Sequence, residues 1–211
     1  HVRRVLSSSL VDGMKAELVA KRAMRVVGST YYGKRHVTSG TRPIKVADDM
    51  KGFKLRIPEV DTFRAMAEAW GARPTPLNIG ELYLALSQGA VDGQENPLPT
   101  IQSNKFFEVQ QHLILTGHVI TPRLVVVNEA AWQALDVRSR DALSSAIAAA
   151  GKAQDDDILG QEKKLVDTFR SGGMNVIEPD VESFRKPVLA SLPPKFEAKW
   201  GKGLWERIAA A

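Results

Sequence analysis

The sequence predicts an α/β fold with a largely parallel sheet, and three observations carry that prediction. Strand-like runs alternate with helix-like runs along the chain. The run Arg123-Leu124-Val125-Val126-Val127-Asn128 is apolar enough for a strand buried on both faces, as parallel strands are. Phe63, Met66, Ala67 and Trp70 recur at i, i+3, i+4 and i+7, which is one face of a helix.

Taken in order, Val2 to Arg22 reads as an amphipathic helix with Val5, Leu6, Leu10, Leu18 and Val19 as its apolar positions. Arg25 to Thr30 is a strand, and Val37 to Pro43 a loop punctuated by Gly40 and Pro43. Ala47 to Met50 makes one helical turn before the short β-prone run that ends at Arg56, Ile57 and Pro58. The Phe63–Trp70 helix stops at Gly71, and Pro74 to Leu77 is extended. Asn78 with Glu81 has the spacing of a capping box, opening a helix that buries Leu82, Ala85 and Leu86 and ends at Gly89. Ala90 to Gly93 is a short strand or turn, Phe106 to Gln111 helix-like, and His112 to Thr116 extended. Glu129 to about Arg170 is helical, as one unusually long helix or two joined near Gly151, with Trp132, Leu135, Leu143, Ile147, Ile158, Leu165, Val166 and Phe169 inward. Ser171-Gly172-Gly173 caps it. Asn175 to Ile177 is a strand, Asp180 opens a helix that Pro193-Pro194 interrupts, and a tail helix carries Trp200, Trp205 and Ile208.

Bulk composition narrows the function classes. A chain of 211 residues can form one large domain or two small ones, and its hydrophobic (44%) and charged (25%) fractions are ordinary for a globular protein. No apolar run is long enough to span a bilayer. With no leader segment and a start at His1, the sequence reads as a processed or truncated product. The absence of cysteine excludes disulfides, zinc–thiolate sites and thiol nucleophiles, and fits a periplasmic address. The net charge of +5 favours anionic partners. The basic residues are interspersed with acids and form no block with interleaved aromatics, so nucleic acid is not expected as a partner.

Catalytic and metal motifs are absent. His1, His36, His112 and His118 lack zinc-site spacing and read as structural or solvated. No G-x-S-x-G surrounds Ser7-Ser8-Ser9, Gly33-Lys34 lacks a P-loop, and no G-x-G-x-x-G occurs. Asp155-Asp156-Asp157 points three ways on a helix and reads as a solvated face. The sequence therefore predicts no catalytic residue, no metal and no cofactor. Trp70 and Tyr83 read as packing aromatics. What remains is Arg56, a guanidinium at the end of a strand, where α/β folds open their ligand crevices. Its planar fork suits a carboxylate through two parallel hydrogen bonds, which a lysine cannot make.

Two blocks carry a resemblance. Ala47-Asp48-Asp49-Met50-Lys51-Gly52-Phe53-Lys54-Leu55-Arg56-Ile57-Pro58 and Glu81 through Ala90-Val91-Asp92-Gly93-Gln94-Glu95-Asn96-Pro97, at this separation, resemble the solute-binding proteins of tripartite ATP-independent periplasmic (TRAP) transporters. Gly33 to Ser39, Arg42 to Lys45, Phe107 to Gln111, Thr116 to His118 and Asn175 to Arg185 are similar as well, so the likeness spans essentially the whole chain. It implies a two-lobe periplasmic-binding-protein fold, with mixed or parallel sheets flanked by helices and a long lobe-spanning helix. It implies a monomer without enzymatic activity that captures a small organic acid, a carboxylate or dicarboxylate, and delivers it to TRAP membrane subunits. On this likeness Arg56 grips the carboxylate, Arg35 adds a second contact, and the Asn96 amide donates a hydrogen bond.

Three departures qualify the match. The loop from Arg35 to Arg42 is one residue longer than in the family. Ile79 stands where an aromatic residue commonly packs on the ligand, and a smaller apolar wall suits an aliphatic acid. Family members also carry roughly a hundred further residues ahead of the first helix, the size of most of a lobe. The expected division is a second lobe of residues 33–121 and 162–211, with residues 1–32 and 122–161 as an incomplete first lobe and crossing segments. Two other readings stay open: an α/β enzyme that anchors a carboxylate on Arg56 and uses His36 or Glu95 as base, and a folded lobe with no binding activity.

Overall fold

A computed structural model describes residues 1–211. In chain order its elements are α1 (Val2–Leu6), α2 (Asp12–Arg22), β1 (Met24–Ser39), β2 (Lys54–Ile57), α3 (Asp61–Ala69), β3 (Arg73–Pro76), α4 (Ile79–Ser87), β4 (Gly93–Pro97), α5 (Leu98–Ser103), β5 (His112–Asn128), α6 (Glu129–Ala134), α7 (Val137–Ser171), β6 (Asn175–Ile177), α8 (Val181–Trp200) and α9 (Leu204–Ala210). They build one six-stranded mixed sheet in the order β3-β2-β4-β1-β5-β6. β2 runs parallel to β3 and β4, β5 parallel to β6, and β1 antiparallel to β4.

Contacts divide the chain into two units. One comprises His1–Tyr32, Thr121–Gly160 and Trp200–Ala211, the other Gly33–Ile120 and Gln161–Lys199. The sequence reading joined residues 200–211 to the second; they belong to the first, where the Trp200 and Trp205 rings stack with centroids 6.1 Å apart.

The second unit has a core on each face of its sheet, as strand alternation requires. Val37, Phe53, Leu55, Ile57, Met66, Trp70, Ile114 and Phe184 pack on one face. Leu82, Leu86, Leu98, Ile101, Phe106, Leu113, Leu165 and Phe169 pack on the other. Neighbours in sequence such as Leu113 and Ile114 thus serve opposite cores. Trp70 donates its indole N–H to the Phe184 carbonyl at 2.9 Å, and its ring meets Phe184 edge-on. Gly93 can only be glycine: a Cβ there would sit 2.0 Å from the Thr38 carbonyl oxygen and 2.7 Å from the Phe53 ring.

In the first unit the expected helix of residues 2–22 is broken. Ser8 adopts an extended backbone and its hydroxyl donates to the Val5 carbonyl at 2.7 Å, so local side-chain bonding competes with helix continuation. A short 3-10 turn at Ser9–Val11 then leads into α2. The long helix divides at Leu135-Asp136 rather than at Gly151. Asp136 accepts from the Ser139 amide at 2.8 Å and so starts α7, whereas Gly151 lies inside that helix, close to the Ser29 carbonyl. The run from Arg123 to Asn128 is a strand but is not buried on both faces: Leu124 is 45% and Val126 40% exposed. Instead of entering a closed core, Leu124 lines an open cavity of about 400 Å³ with Leu6, Val11, Leu18 and Val26. Asp155, expected on a solvated face, is buried and accepts from the Arg3 guanidinium and the Tyr31 amide.

Three further expectations change in detail. Val37 to Ser39 continues β1 instead of forming a loop, because it pairs with Gly93 to Glu95. The Asn78 side chain makes no capping bond; its carbonyl accepts from the Glu81 amide at 3.2 Å. α8 runs through Pro193-Pro194 to Trp200 although both prolines lack the amide donor. No helix is long and apolar enough to cross a membrane.

Candidate functional site

The site grows from three neighbouring strands, β2, β4 and β1. Leu55 and Ile57 are fully buried in one core, so strand alternation turns Arg56 to the opposite face. Register places Arg56 beside Gln94, Gln94 beside Thr38, and Asn96 beside His36. Residues directly opposite across a ladder share a face. Arg56, Gln94, Asn96, Thr38 and His36 therefore lie on one side of the sheet, and Arg35, Val37 and Glu95 on the other.

Arg56 is 4% exposed, and its Nε and Nη2 donate to the Leu77 oxygen at 2.9 and 2.5 Å. Leu77 follows β3, and two residues later Ile79 opens α4. Ile79 is 42% exposed, beside the segment that Arg56 holds.

Arg35 is as buried as Arg56, yet its fork is not directed at a vacant position. Nε donates to Glu95 Oε2 at 2.5 Å and Nη2 to Oε1 at 2.7 Å. The same Nη2 also reaches the Glu95 carbonyl at 2.8 Å and Asn96 Oδ1 at 3.1 Å. The guanidinium lies over the Phe63 ring, 5.2 Å from its centroid. Arg35, expected to add a second contact to the ligand carboxylate, is bonded here to an internal carboxylate, and these bonds use Nε and Nη2 but not Nη1.

Glu95 has a second partner. His118 Nε2 lies 3.2 Å from Glu95 Oε2, while His118 Nδ1 is 2.7 Å from the Thr116 hydroxyl. Trp70 meets the His118 ring edge-on at 5.2 Å. Burial pushes the Glu95 carboxyl up, but hydrogen bonds from Arg35 and His118 and their charges outweigh it and hold it below the usual carboxylate range. His36 Nδ1 accepts the Gly117 amide at 3.1 Å. Burial, reinforced by His118 and Lys34, lowers the His36 imidazole to about 3, so it is neutral at physiological pH.

Asn96 is 2% exposed, and its amide nitrogen donates to Gln94 Oε1 at 2.6 Å. Of the four expected residues, Arg35 and Asn96 are in direct contact. Arg56 shares their strands' register through Gln94, and Ile79 follows Leu77, whose carbonyl Arg56 holds, by two residues. Sequence reading assigned no binding role to Glu95, His118, Thr38 or Gln94. The available signal was Gly93-Gln94-Glu95-Asn96-Pro97 itself, because a strand that is polar at successive positions and still buried must carry an internal hydrogen-bond network.

Chemically the arrangement is a cluster of buried hydrogen-bond donors around one internal carboxylate. Two buried guanidiniums and an amide offer charge-assisted and neutral donors. Neither candidate base adjoins a nucleophile: Glu95 is engaged with Arg35 and His118, and His36 Nδ1 is occupied. No group of three or more His, Asp or Glu residues is placed to hold a metal ion.

Known proteins are similar to this chain in sequence and in fold. Residues 1–197 match the family model DctP, bacterial extracellular solute-binding protein, family 7. The sialic acid-binding periplasmic protein SiaP of Vibrio cholerae is 39% identical over 210 residues, which is 100% of this chain and 65% of that relative. A TRAP periplasmic solute binding protein from Roseobacter denitrificans, with 3-deoxy-D-manno-oct-2-ulosonic acid bound, superposes with a TM-score of 0.93 at 31% identity, over 98% of this chain and 70% of that one. Another from Polaromonas sp. JS666, bound to D-erythronate, gives 0.87 at 36% identity, over 100% and 68%. The chain spans less than two thirds of the length of the curated relatives from Vibrio cholerae (65%) and Verminephrobacter eiseniae (63%).

Proposed function

The chain belongs to the DctP family of bacterial extracellular solute-binding proteins, family 7, and from that premise we propose that it binds a small sugar acid or related organic acid in the periplasm and passes it to the membrane subunits of a TRAP transporter. Arg56 carries the reading: a buried guanidinium at a strand end, held in orientation by the Leu77 carbonyl and sharing a sheet face with Asn96. Its fork takes the ligand carboxylate, and Asn96 donates from the same face. Arg35 tightens the site through Asn96 and Glu95. Ile79 supplies an apolar wall that suits aliphatic chains better than a stacking aromatic would. The protein works as a monomer without cofactor and without turnover.

Support comes from relatives whose named ligands are all acids. Sialic acid, 3-deoxy-D-manno-oct-2-ulosonic acid, D-erythronate and L-galactonate share a carboxylate next to hydroxylated carbons, although they differ in chain length. Isothermal titration against these acids and a panel of plain mono- and dicarboxylates tests the proposal. One acid is expected to bind, and Arg56→Ala is expected to abolish that heat. Unchanged affinity in Arg56→Ala would remove Arg56 from the site.

A further inference from the structure

Arg35 and Asn96 belong to a chain of buried side chains whose other members the binding reading does not use. Arg35 Nη2 donates to Asn96 Oδ1 at 3.1 Å. Asn96 Nδ2 donates to Gln94 Oε1 at 2.6 Å, and Gln94 Nε2 to the Thr38 hydroxyl at 3.0 Å. The Thr38 hydroxyl donates to Gln110 Oε1 at 2.9 Å, and Gln110 Nε2 to the Val109 carbonyl at 3.0 Å. The five side chains are between 0% and 6% exposed.

The chain has a direction. An amide can be turned end for end, and a hydroxyl can donate either way, so each middle member taken alone is ambiguous. The ends are not. A guanidinium only donates and a backbone carbonyl only accepts. Between those fixed ends, reversing any one member places donor against donor or acceptor against acceptor in a buried position, which is costly. Arg35 at one end and Val109 at the other therefore set every link. The far end is also confined sterically: a Cβ on Gly40 would lie 2.8 Å from Gln110 Nε2, so the glycine leaves the room that this amide occupies.

We propose that Thr38, Gln94 and Gln110 are positioning residues that lock the Asn96 amide with Oδ1 toward Arg35 and Nδ2 toward Gln94, so that Asn96 meets the ligand as a hydrogen-bond donor. This rests on the proposed binding role of Asn96. The second N–H of Nδ2 is the group presented, and the ligand atom it selects is an acceptor, such as a carboxylate or carbonyl oxygen. A ligand offering a hydroxyl proton or an ammonium at that point is rejected, because Asn96 cannot rotate its oxygen outward without breaking the chain. Control of that choice lies with Gln94, Thr38 and Gln110, further along the chain from Asn96.

The test uses ¹⁵N-labelled protein and the variants Thr38→Val, Thr38→Ser and Gln110→Met. In the ligand-free protein the side-chain NH₂ protons of Asn96 should exchange with solvent at least about tenfold faster in Thr38→Val and Gln110→Met than in wild type. Thr38→Ser, which keeps the hydroxyl, should restore slow exchange, and protection of the Val37 and Glu95 backbone amides should not change. Equal Asn96 exchange in wild type and both broken-chain variants overturns the proposal. Titration with sialic acid and D-erythronate supplies the second arm. Thr38→Val should raise Kd about five- to tenfold, the scale of one neutral hydrogen bond. In an Asn96→Ala background it should change nothing further, because it acts through that residue. If Asn96→Ala weakens binding but Thr38→Val does not, the positioning role is overturned while the binding reading stands. If Asn96→Ala itself leaves Kd unchanged, the ligand role of Asn96 is overturned, and the exchange comparison alone decides whether the chain is directional.

Discussion

Arg35 and Glu95 form a two-pronged ion pair between β1 and β4, with Nε on Oε2 at 2.5 Å and Nη2 on Oε1 at 2.7 Å, and both side chains are buried. Dehydrating two charges costs several kcal/mol each, so the pair is weak as a source of net stability. Its worth is in what it fixes. Glu95 also contacts His118, and Arg35 also holds Asn96, so four side chains from β1, β4 and β5 take one arrangement.

Removing one partner should therefore cost far more than removing both. Glu95→Ala leaves a buried guanidinium without its carboxylate and should lower the unfolding free energy by about 3–5 kcal/mol. The double replacement Arg35→Met/Glu95→Leu should recover most of that loss. Urea denaturation at pH 7 reads both. A loss below about 1 kcal/mol for Glu95→Ala, the scale of an exposed pair, would mean that water reaches this pair.

The pH dependence follows from His36 and Glu95, in two windows. His36 titrates near 6.5 when unfolded and at about 3 when folded, so between these values the unfolded chain binds the extra proton. Stability is full above about 6.5 and falls as the pH drops toward 3. The Glu95 carboxyl is lowered from its ordinary 4.5, so its contribution is present above 4.5 and is lost as the pH falls through the lower native value. Glu129, held at about 2 by its hydrogen bond from Arg25, acts with the same sign. His36→Asn places an amide oxygen where Nδ1 accepts the Gly117 amide and cannot be protonated in this range. Urea midpoints between about pH 6 and pH 4 should then lose close to one proton of slope, about 1.4 kcal/mol per pH unit.

Ligand binding should separate charge from geometry at Arg56. Arg56→Lys keeps the positive charge but cannot grip both oxygens of a carboxylate or span the Leu77 carbonyl with two donors. The expected loss is about 1.5–3 kcal/mol, roughly ten- to a hundredfold in Kd, read by titration with the acid that wild type binds. Equal affinity would show that a point charge suffices and that the fork is not used.

Much of this was legible where the chain's own periodicity dictates structure. The Phe63–Trp70 face, the turn at Ala47–Met50 and the strand carrying Arg56 need only local spacing, and they lie where that spacing puts them. Arg56 and Asn96 stand out in the sequence because the motifs that carry them are contiguous. The pairing of Arg35 with Glu95 was not legible, since it joins residues 60 apart through a strand register that no local pattern encodes. Asp155 failed for a related reason: its neighbours look solvated, and only the distant Arg3 and Tyr31 make its burial tolerable. The apolar run at Arg123–Asn128 misled in the opposite direction, because composition reports what a strand could bury and not what covers it.

The closest packing in the site's scaffold is testable with one methyl group. Gly93 opens β4 opposite Ser39, and an added Cβ would lie 2.0 Å from the Thr38 carbonyl oxygen and 2.7 Å from Phe53 Cζ. The Thr38 oxygen is backbone within the β1–β4 ladder and the Phe53 ring is fully buried, so neither can yield cheaply. Gly93→Ala should separate the strands that carry Arg35, Thr38, Glu95 and Asn96, at a cost of about 3 kcal/mol or more. For a chain of this size that lowers Tm by roughly 6–12 °C. Gly80, inside α4 with nothing within 4 Å of an added Cβ, is the matched control. There the same methyl relieves backbone entropy and should raise stability by about 0.4–1 kcal/mol. Thermal unfolding of the two variants should thus move in opposite directions. Equal, small shifts would mean that β1 and β4 can part at this point without loss.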